Sequence, residues 1–147
     1  MMSVNNGNEA LTAPMSRGVQ AVGDSAIFLR NTWYVAAWSH EIVADGMLAR
    51  TITQVPLVFW RDRAGKVVAL EDRCCHRAAP LSKGRREGDL IRCMYHGLLY
   101  DSAGQCVEIP SQEFIPPAAK VRAFPVVERF KWIWVRCSCR LLQRAFP

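Results

Sequence analysis

The sequence predicts an all-β domain of short antiparallel strands, and three observations carry that prediction. Short runs rich in Val, Ile, Thr, Phe and Trp recur along the chain, each closed by a turn containing Gly, Asp or Pro. Residues 109–125 hold Pro110, Pro116, Pro117 and Pro125, which exclude a regular helix or a central strand there. Glycine and proline also break any helix at the two stretches richest in Cys and His, around Cys74 and around Cys93.

Taken in order, residues 1–25 are rich in Asn, Ser and Gly without periodicity and read as a disordered leader. Residues 32–38 are aromatic and apolar enough for a first strand, with Trp33 and Trp38 expected in the core. His40 follows at a strand end, where a lone histidine is a surface or capped residue. Residues 48–53, 56–61 and 66–72 form a meander, separated by a turn at Gln54-Val55-Pro56 and by the hairpin signal Asp62-Arg63-Ala64-Gly65. The third of these strands runs through Asp72-Arg73 directly into Cys74, so a rigid sheet holds that loop. Residues 90–93 and 98–100 flank the second loop as a hairpin, Asp101-Ser102-Ala103-Gly104 makes the next turn, and 105–109 the next strand. The proline-rich 109–125 is a surface connection, after which 126–128 and 131–135 resume β character with Trp132 and Trp134 on one face. The expected domain is 26–135, followed by a basic, unpatterned tail at 136–147.

The chemistry lies in Cys74-Cys75-His76 and Cys93-Met94-Tyr95-His96: Cys-x-His, an intervening basic stretch, then Cys-x-x-His. Four ligands of the type Cys2His2 also suit one tetrahedral zinc, which would make the chain a structural interaction module. Spacing separates the readings. A zinc finger takes both cysteines from one hairpin and both histidines from one helix, whereas each element here mixes the two. Mixed pairs are what a Rieske [2Fe–2S] centre requires, because one iron keeps two thiolates and the other two imidazoles. Cys74 and Cys93 are then the thiolate ligands and His76 and His96 the neutral imidazoles.

Cys74-x-His76-Arg77 with Ala79-Pro80-Leu81-Ser82, then Cys93-x-Tyr95-His96-Gly97 and Tyr100-Asp101, resembles the Rieske domain of ring-hydroxylating and O-demethylating oxygenases. The vanillate O-demethylase oxygenase subgroup matches further, through Asn31-Thr32-Trp33-Tyr34-Val35-Ala36-Ala37-Trp38 and Ile109-Pro110-Ser111-Gln112. Departures are Met94, where glycine or proline is usual, and Leu98, where many relatives carry tryptophan. The resemblance implies a Rieske-type antiparallel β-sandwich with a small cluster-binding subdomain, holding one [2Fe–2S] cluster per chain. It implies electron transfer from a reductase or ferredoxin toward a mononuclear iron in an oxygenase catalytic domain or subunit, and so an oxidoreductase component. High-potential respiratory relatives add a cysteine in each loop, at the positions of Ala79 and Tyr95, and a serine hydroxyl where this chain has Leu98. Fewer hydrogen bonds to sulfur lead us to expect the lower end of the Rieske potential range.

With 147 residues, half of them hydrophobic, the chain buries one ordinary core and no second domain is expected. The mononuclear iron of the family needs two further imidazoles, and His40 is the single histidine left, so this chain is expected to carry electrons without oxygenating a substrate. Relatives continue past Val135 with a tryptophan and a Gly-Asp turn, while Arg136-Cys137-Ser138-Cys139 departs. A frameshifted or truncated, non-functional fragment and a free-standing carrier are the two readings of that departure. Residues 19–29 are interrupted by Gly23 and Asp24, so neither a secretory segment nor a membrane anchor is expected, and reduced cytoplasmic thiols are. A net charge of +6 without an aromatic-basic stacking motif argues against nucleic acid. The basic stretch Lys83, Arg85, Arg86 and Arg92, interleaved with Glu87 and Asp89, reads as a solvated loop, with docking of an acidic electron donor as the functional alternative. Cys75 is expected to point away from the ligands and pack, Cys106 to be buried in a strand, and Cys137 and Cys139 to be incidental.

Overall fold

The computed structural model describes residues 28–29 and 31–137, which form ten strands in three antiparallel sheets. The strands are β1 (Thr32–Trp38), β2 (Leu48–Ile52), β3 (Val55–Arg61), β4 (Val67–Glu71), β5 (Arg85–Glu87), β6 (Leu90–Arg92), β7 (Leu99–Tyr100), β8 (Cys106–Glu108), β9 (Val126–Arg129) and β10 (Trp132–Cys137). One sheet has the order β1-β10-β9, the second β2-β3-β4, the third β5-β6-β7-β8. The expected all-β antiparallel architecture is therefore present, with the third sheet as the small subdomain. The last expected strand ends at Val135, but β10 runs on to Cys137, whose buried side chain joins the core and is not incidental. Cys139, the expected leader and the rest of the expected tail lie outside the described residues.

The central strand β3 explains the layering. Leu57, Val58, Phe59 and Trp60 are all completely buried, so this strand has protein on both faces and reads as a continuous apolar run instead of alternating. Leu57 and Phe59 join Ala69, Ile133 and Val135 in one core, while Val58 and Trp60 join Leu70, Ile91 and Tyr100 in another. Each such fully buried side chain contributes about 1.5–3 kcal/mol. The second core lies directly beneath the Cys-His loops.

Local rules account for most joints. The hairpin β3–β4 closes through Gly65 at φ +78°, as its Asp-Arg-Ala-Gly sequence predicts. The β2–β3 turn sits at Thr53 and Gln54, both at positive φ, one step before the expected Gln-Val-Pro, because Val55 already pairs with Ile52. A bulge between Val35 and Ala37 puts Ala36 and Ala37 both inward. Trp33 and Trp38 are not core residues as expected: they are 41% and 42% exposed. The alternation that turns half-buried Tyr34 and buried Ala36 inward turns Trp33 and Val35 to the outer face, and Trp38 stacks on Trp132 with ring centroids 3.4 Å apart. The stretch expected as a solvated loop is instead the β5–β6 hairpin, with Glu87 paired to Leu90. A three-residue strand of sequence Arg-Arg-Glu has no period to betray it.

Candidate metal centre

Two loops, one between β4 and the 3₁₀ turn Leu81–Lys83 and one between β6 and β7, are closed by the same pair of hydrogen bonds. The Cys74 N–H donates to Ala79 O (2.8 Å) and the Ala78 N–H to Cys74 O (2.9 Å). In the second loop the Cys93 N–H donates to Leu98 O (2.8 Å) and the Gly97 N–H to Cys93 O (3.2 Å). The equivalence reaches the backbone angles: Ala78 (φ +55°) and Gly97 (φ +75°), each four residues past its cysteine, both take the left-handed conformation. Sequence spacing hid this equivalence, since the histidines sit at different offsets, two residues after Cys74 and three after Cys93.

The structure brings the four predicted side chains into two pairs of like type, His76 with His96 and Cys74 with Cys93. The Nδ1 atoms of His76 and His96 face each other at 3.1 Å, with both rings exposed. Cys74 and Cys93 are buried and their thiols are neighbours. Burial pushes the Cys93 thiol above its ordinary value, while the N–H groups of Tyr95 and His96, aimed at its sulfur, work the other way. Metal–imidazole bonds of about 2.0–2.1 Å at a near-tetrahedral angle separate two nitrogens by roughly 3.3 Å. Two imidazoles on one metal ion therefore fit His76 and His96 as they stand, and the neighbouring Cys74 and Cys93 offer a second pair of donors. Among the described residues no three His, Cys, Asp or Glu side chains gather as one ion would need. The arrangement is pairwise.

Three supporting groups escaped the sequence reading. The Tyr100 ring is completely buried, and its hydroxyl lies 3.1 Å from Cys74 Sγ. A tyrosine following two leucines in a core strand was the available signal, because a buried phenol needs a partner. Asp72, 8% exposed, accepts from the Ser82 N–H (2.7 Å) and from the Ser82 hydroxyl (2.6 Å), tying the two ends of the first loop. Arg92 forks onto Glu87 (2.6 and 2.8 Å) and Glu108 (2.7 and 3.1 Å) and donates to Gly97 O (2.8 Å), which anchors the second loop. The hydrogen bond from Arg92 holds the Glu87 carboxyl down at about 2.

Of the remaining predicted positions, Cys75 borders the centre, sharing the Tyr100 hydroxyl with Cys74. Cys75 is exposed, not packed, with its Sγ 3.2 Å from the Tyr100 hydroxyl. Cys106 is buried at the start of β8, as expected. His40 is exposed with its ring stacked near Trp38.

Residues 32–125 match the Rieske [2Fe-2S] domain, and the chain belongs to that family. It is 55% identical over 109 residues to the iron-sulfur subunit of the toluene-4-sulfonate monooxygenase system of Comamonas testosteroni, covering 74% of this chain and 31% of that one. It is 48% identical over 109 residues to the oxygenase component of dicamba O-demethylase of Stenotrophomonas maltophilia, covering 74% and 32%. It is 43% identical over 110 residues to the vanillate O-demethylase oxygenase subunit of Pseudomonas sp. strain HR199, covering 74% and 30%. The crystal structure of dicamba monooxygenase superposes with a TM-score of 0.71 at 46% identity, over 76% of this chain and 35% of that one. The chain thus spans about a third of the length of these relatives, and the matching part is their Rieske domain. Among the described residues no helix is long and apolar enough to cross a membrane.

Proposed function

We propose that Cys74 and Cys93 bind one iron and His76 and His96 the other iron of a [2Fe–2S] cluster. In this reading the domain relays single electrons from a reductase or ferredoxin toward the mononuclear iron of an aromatic-ring-hydroxylating or O-demethylating oxygenase. The observation that carries it is the 3.1 Å approach of the two Nδ1 atoms, together with the two buried thiols of Cys74 and Cys93, which neighbour each other. When bound, the cluster supplies a one-electron acceptor and donor, less negative than an all-cysteine centre because two ligands are neutral. The protein's own residues do the rest. Asp72 and Arg92 fix the two loops, Tyr100 offers a hydroxyl to a cysteine sulfur, and the second core keeps water from the thiolates. The exposed imidazole edges are the route for the electron. A structural zinc module is the competing reading, and like-with-like pairing speaks against it, since zinc needs all four side chains on one ion.

The test is anaerobic reconstitution of the purified chain with iron and sulfide. A brown protein with an EPR signal of mixed Cys/His ligation after reduction is expected. A colourless protein that retains one zinc per chain would reverse the assignment.

A further inference from the structure

We propose that Cys75 is a positioning residue for the cluster: its thiol, by donating to the Tyr100 oxygen, aims the phenol proton at Cys74 Sγ. The inference rests on the cluster assignment above and adds a residue that binds no iron.

Three contacts converge on the Tyr100 hydroxyl. Cys74 Sγ lies at 3.1 Å, Cys75 Sγ at 3.2 Å, and the Cys75 N–H donates to the phenol oxygen at 3.3 Å. A phenol has one proton to give and two lone pairs with which to receive. The Cys75 N–H occupies one lone pair. A thiolate bound to iron has no proton, so its contact with Tyr100 is a hydrogen bond only if the phenol donates. The Cys75 thiol then fills the second lone pair as a donor. This is the arrangement in which all three contacts are hydrogen bonds. With the phenol proton turned to Cys75 instead, the Cys74 sulfur and the phenol oxygen would face each other with no proton between them.

No other donor takes that place. Tyr100 has no solvent exposure, so water does not reach its oxygen, and the Cys106 thiol donates to Glu108 O at 3.3 Å. A hydrogen bond received by a hydroxyl strengthens the one its own proton makes, the more so in a buried, weakly polarisable setting. The two ligand sulfurs are also served differently. Backbone N–H groups of Tyr95 and His96 are aimed at Cys93, whereas Cys74 receives a side-chain donor whose direction residue 75 can set. Residue 75 is itself exposed, yet its sulfur touches a hydroxyl that is wholly buried.

The experiment uses the full chain loaded with its cluster. Cys75→Val and Cys75→Ala remove the donor, Cys75→Ser keeps one, and Cys75→Val is made again in the Tyr100→Phe background. Two quantities are read: the reduction potential by voltammetry, and the coupling of the exchangeable phenol proton to the reduced cluster by electron–nuclear double resonance, recognised as the coupling missing from Tyr100→Phe. Cys75→Val and Cys75→Ala should each lower the potential by roughly a fifth of the Tyr100→Phe shift and weaken the phenol coupling in step. Cys75→Ser should stay with the parent. In the Tyr100→Phe background Cys75→Val should change nothing, because the pair acts through one hydroxyl. Equal shifts in the two backgrounds, an unchanged phenol coupling in Cys75→Val, or a Cys75→Ser variant that shifts as far as Cys75→Val would overturn the positioning role. So would loss of the cluster from Cys75→Val or Cys75→Ala, since a positioning residue is not a ligand. Each of these outcomes leaves the cluster assignment standing, because the parent still shows its mixed-ligand EPR signal. A parent chain that takes up no cluster would sink both proposals together.

Discussion

The Tyr100 hydroxyl lies 3.1 Å from Cys74 Sγ and 3.2 Å from Cys75 Sγ, at the end of a ring with no solvent exposure. Burial, and the neighbouring Cys74 and Cys75 thiols, push its pKa far above the usual phenol range, so it remains a donor at any physiological pH. In the proposed cluster, a hydrogen bond to the sulfur of Cys74 favours the more negative, reduced state. Tyr100→Phe should therefore lower the reduction potential by roughly 40–60 mV, equivalent to about 1–1.5 kcal/mol. Voltammetry of the loaded protein checks this, and an unchanged potential would show that the hydroxyl does not act on the cluster. The parent itself should titrate below zero, since Leu98 stands where high-potential relatives have a serine.

His76→Ala or His96→Ala should abolish the mixed-ligand EPR spectrum, because an iron left with one imidazole has lost half its protein ligands. Cys75→Ser should keep it, since that side chain is exposed and outside the paired set. A normal spectrum in either histidine variant would reject the ligand assignment.

The two left-handed loop positions predict opposite substitutions. Gly97→Ala adds a Cβ 2.9 Å from Pro110 Cγ at φ +75°, and should destabilise by about 1–2 kcal/mol. Ala78→Gly relieves the same backbone strain at φ +55° and should be neutral or stabilising by up to about 1 kcal/mol. Urea unfolding of both variants decides the matter; a destabilised Ala78→Gly would mean that the methyl packs better than it strains.

Glu87 fixes one part of the acid response. Its folded pKa, held at about 2 by Arg92, lies below the value an unfolded glutamate takes. The associated stability is present above about pH 4.5 and is lost as pH falls toward 2. Glu87→Gln should flatten this segment of the stability-versus-pH curve. Parallel curves for parent and variant between pH 5 and about 2 would show that the Arg92 fork contributes nothing to folding.

Sequence reading reached the strands wherever a period or a turn residue marked them. Asp62 to Gly65 announced its hairpin, and the apolar run at Leu57 to Trp60 announced a strand, though not its burial on both faces. It failed on Trp33 and Trp38, because aromatic character does not say which face of a strand is covered. It failed on Arg85 to Glu87, because three polar residues become a strand only when Ile91 and its neighbours supply a partner. In the basic stretch, residue type does not tell that Arg85 and Arg92 pair with Glu87 and Glu108 or that Arg86 donates to the carbonyls of Ala44 and Gly88.

The identity of the four candidate ligands was written in residue type and spacing alone, since soft thiolates and borderline imidazoles in mixed pairs select few metal centres. Which nitrogen faces which, and that the thiols lie buried while the imidazoles lie exposed, was decided by the tertiary structure. The same holds for Tyr100, Asp72 and Arg92, whose partners Cys74, Ser82 and Glu108 lie 26, 10 and 16 residues away. Residue chemistry is a local property that a sequence states directly. Burial, hydrogen bonding and charge pairing depend on distances in space, and those exist only after the second core has closed beneath both loops.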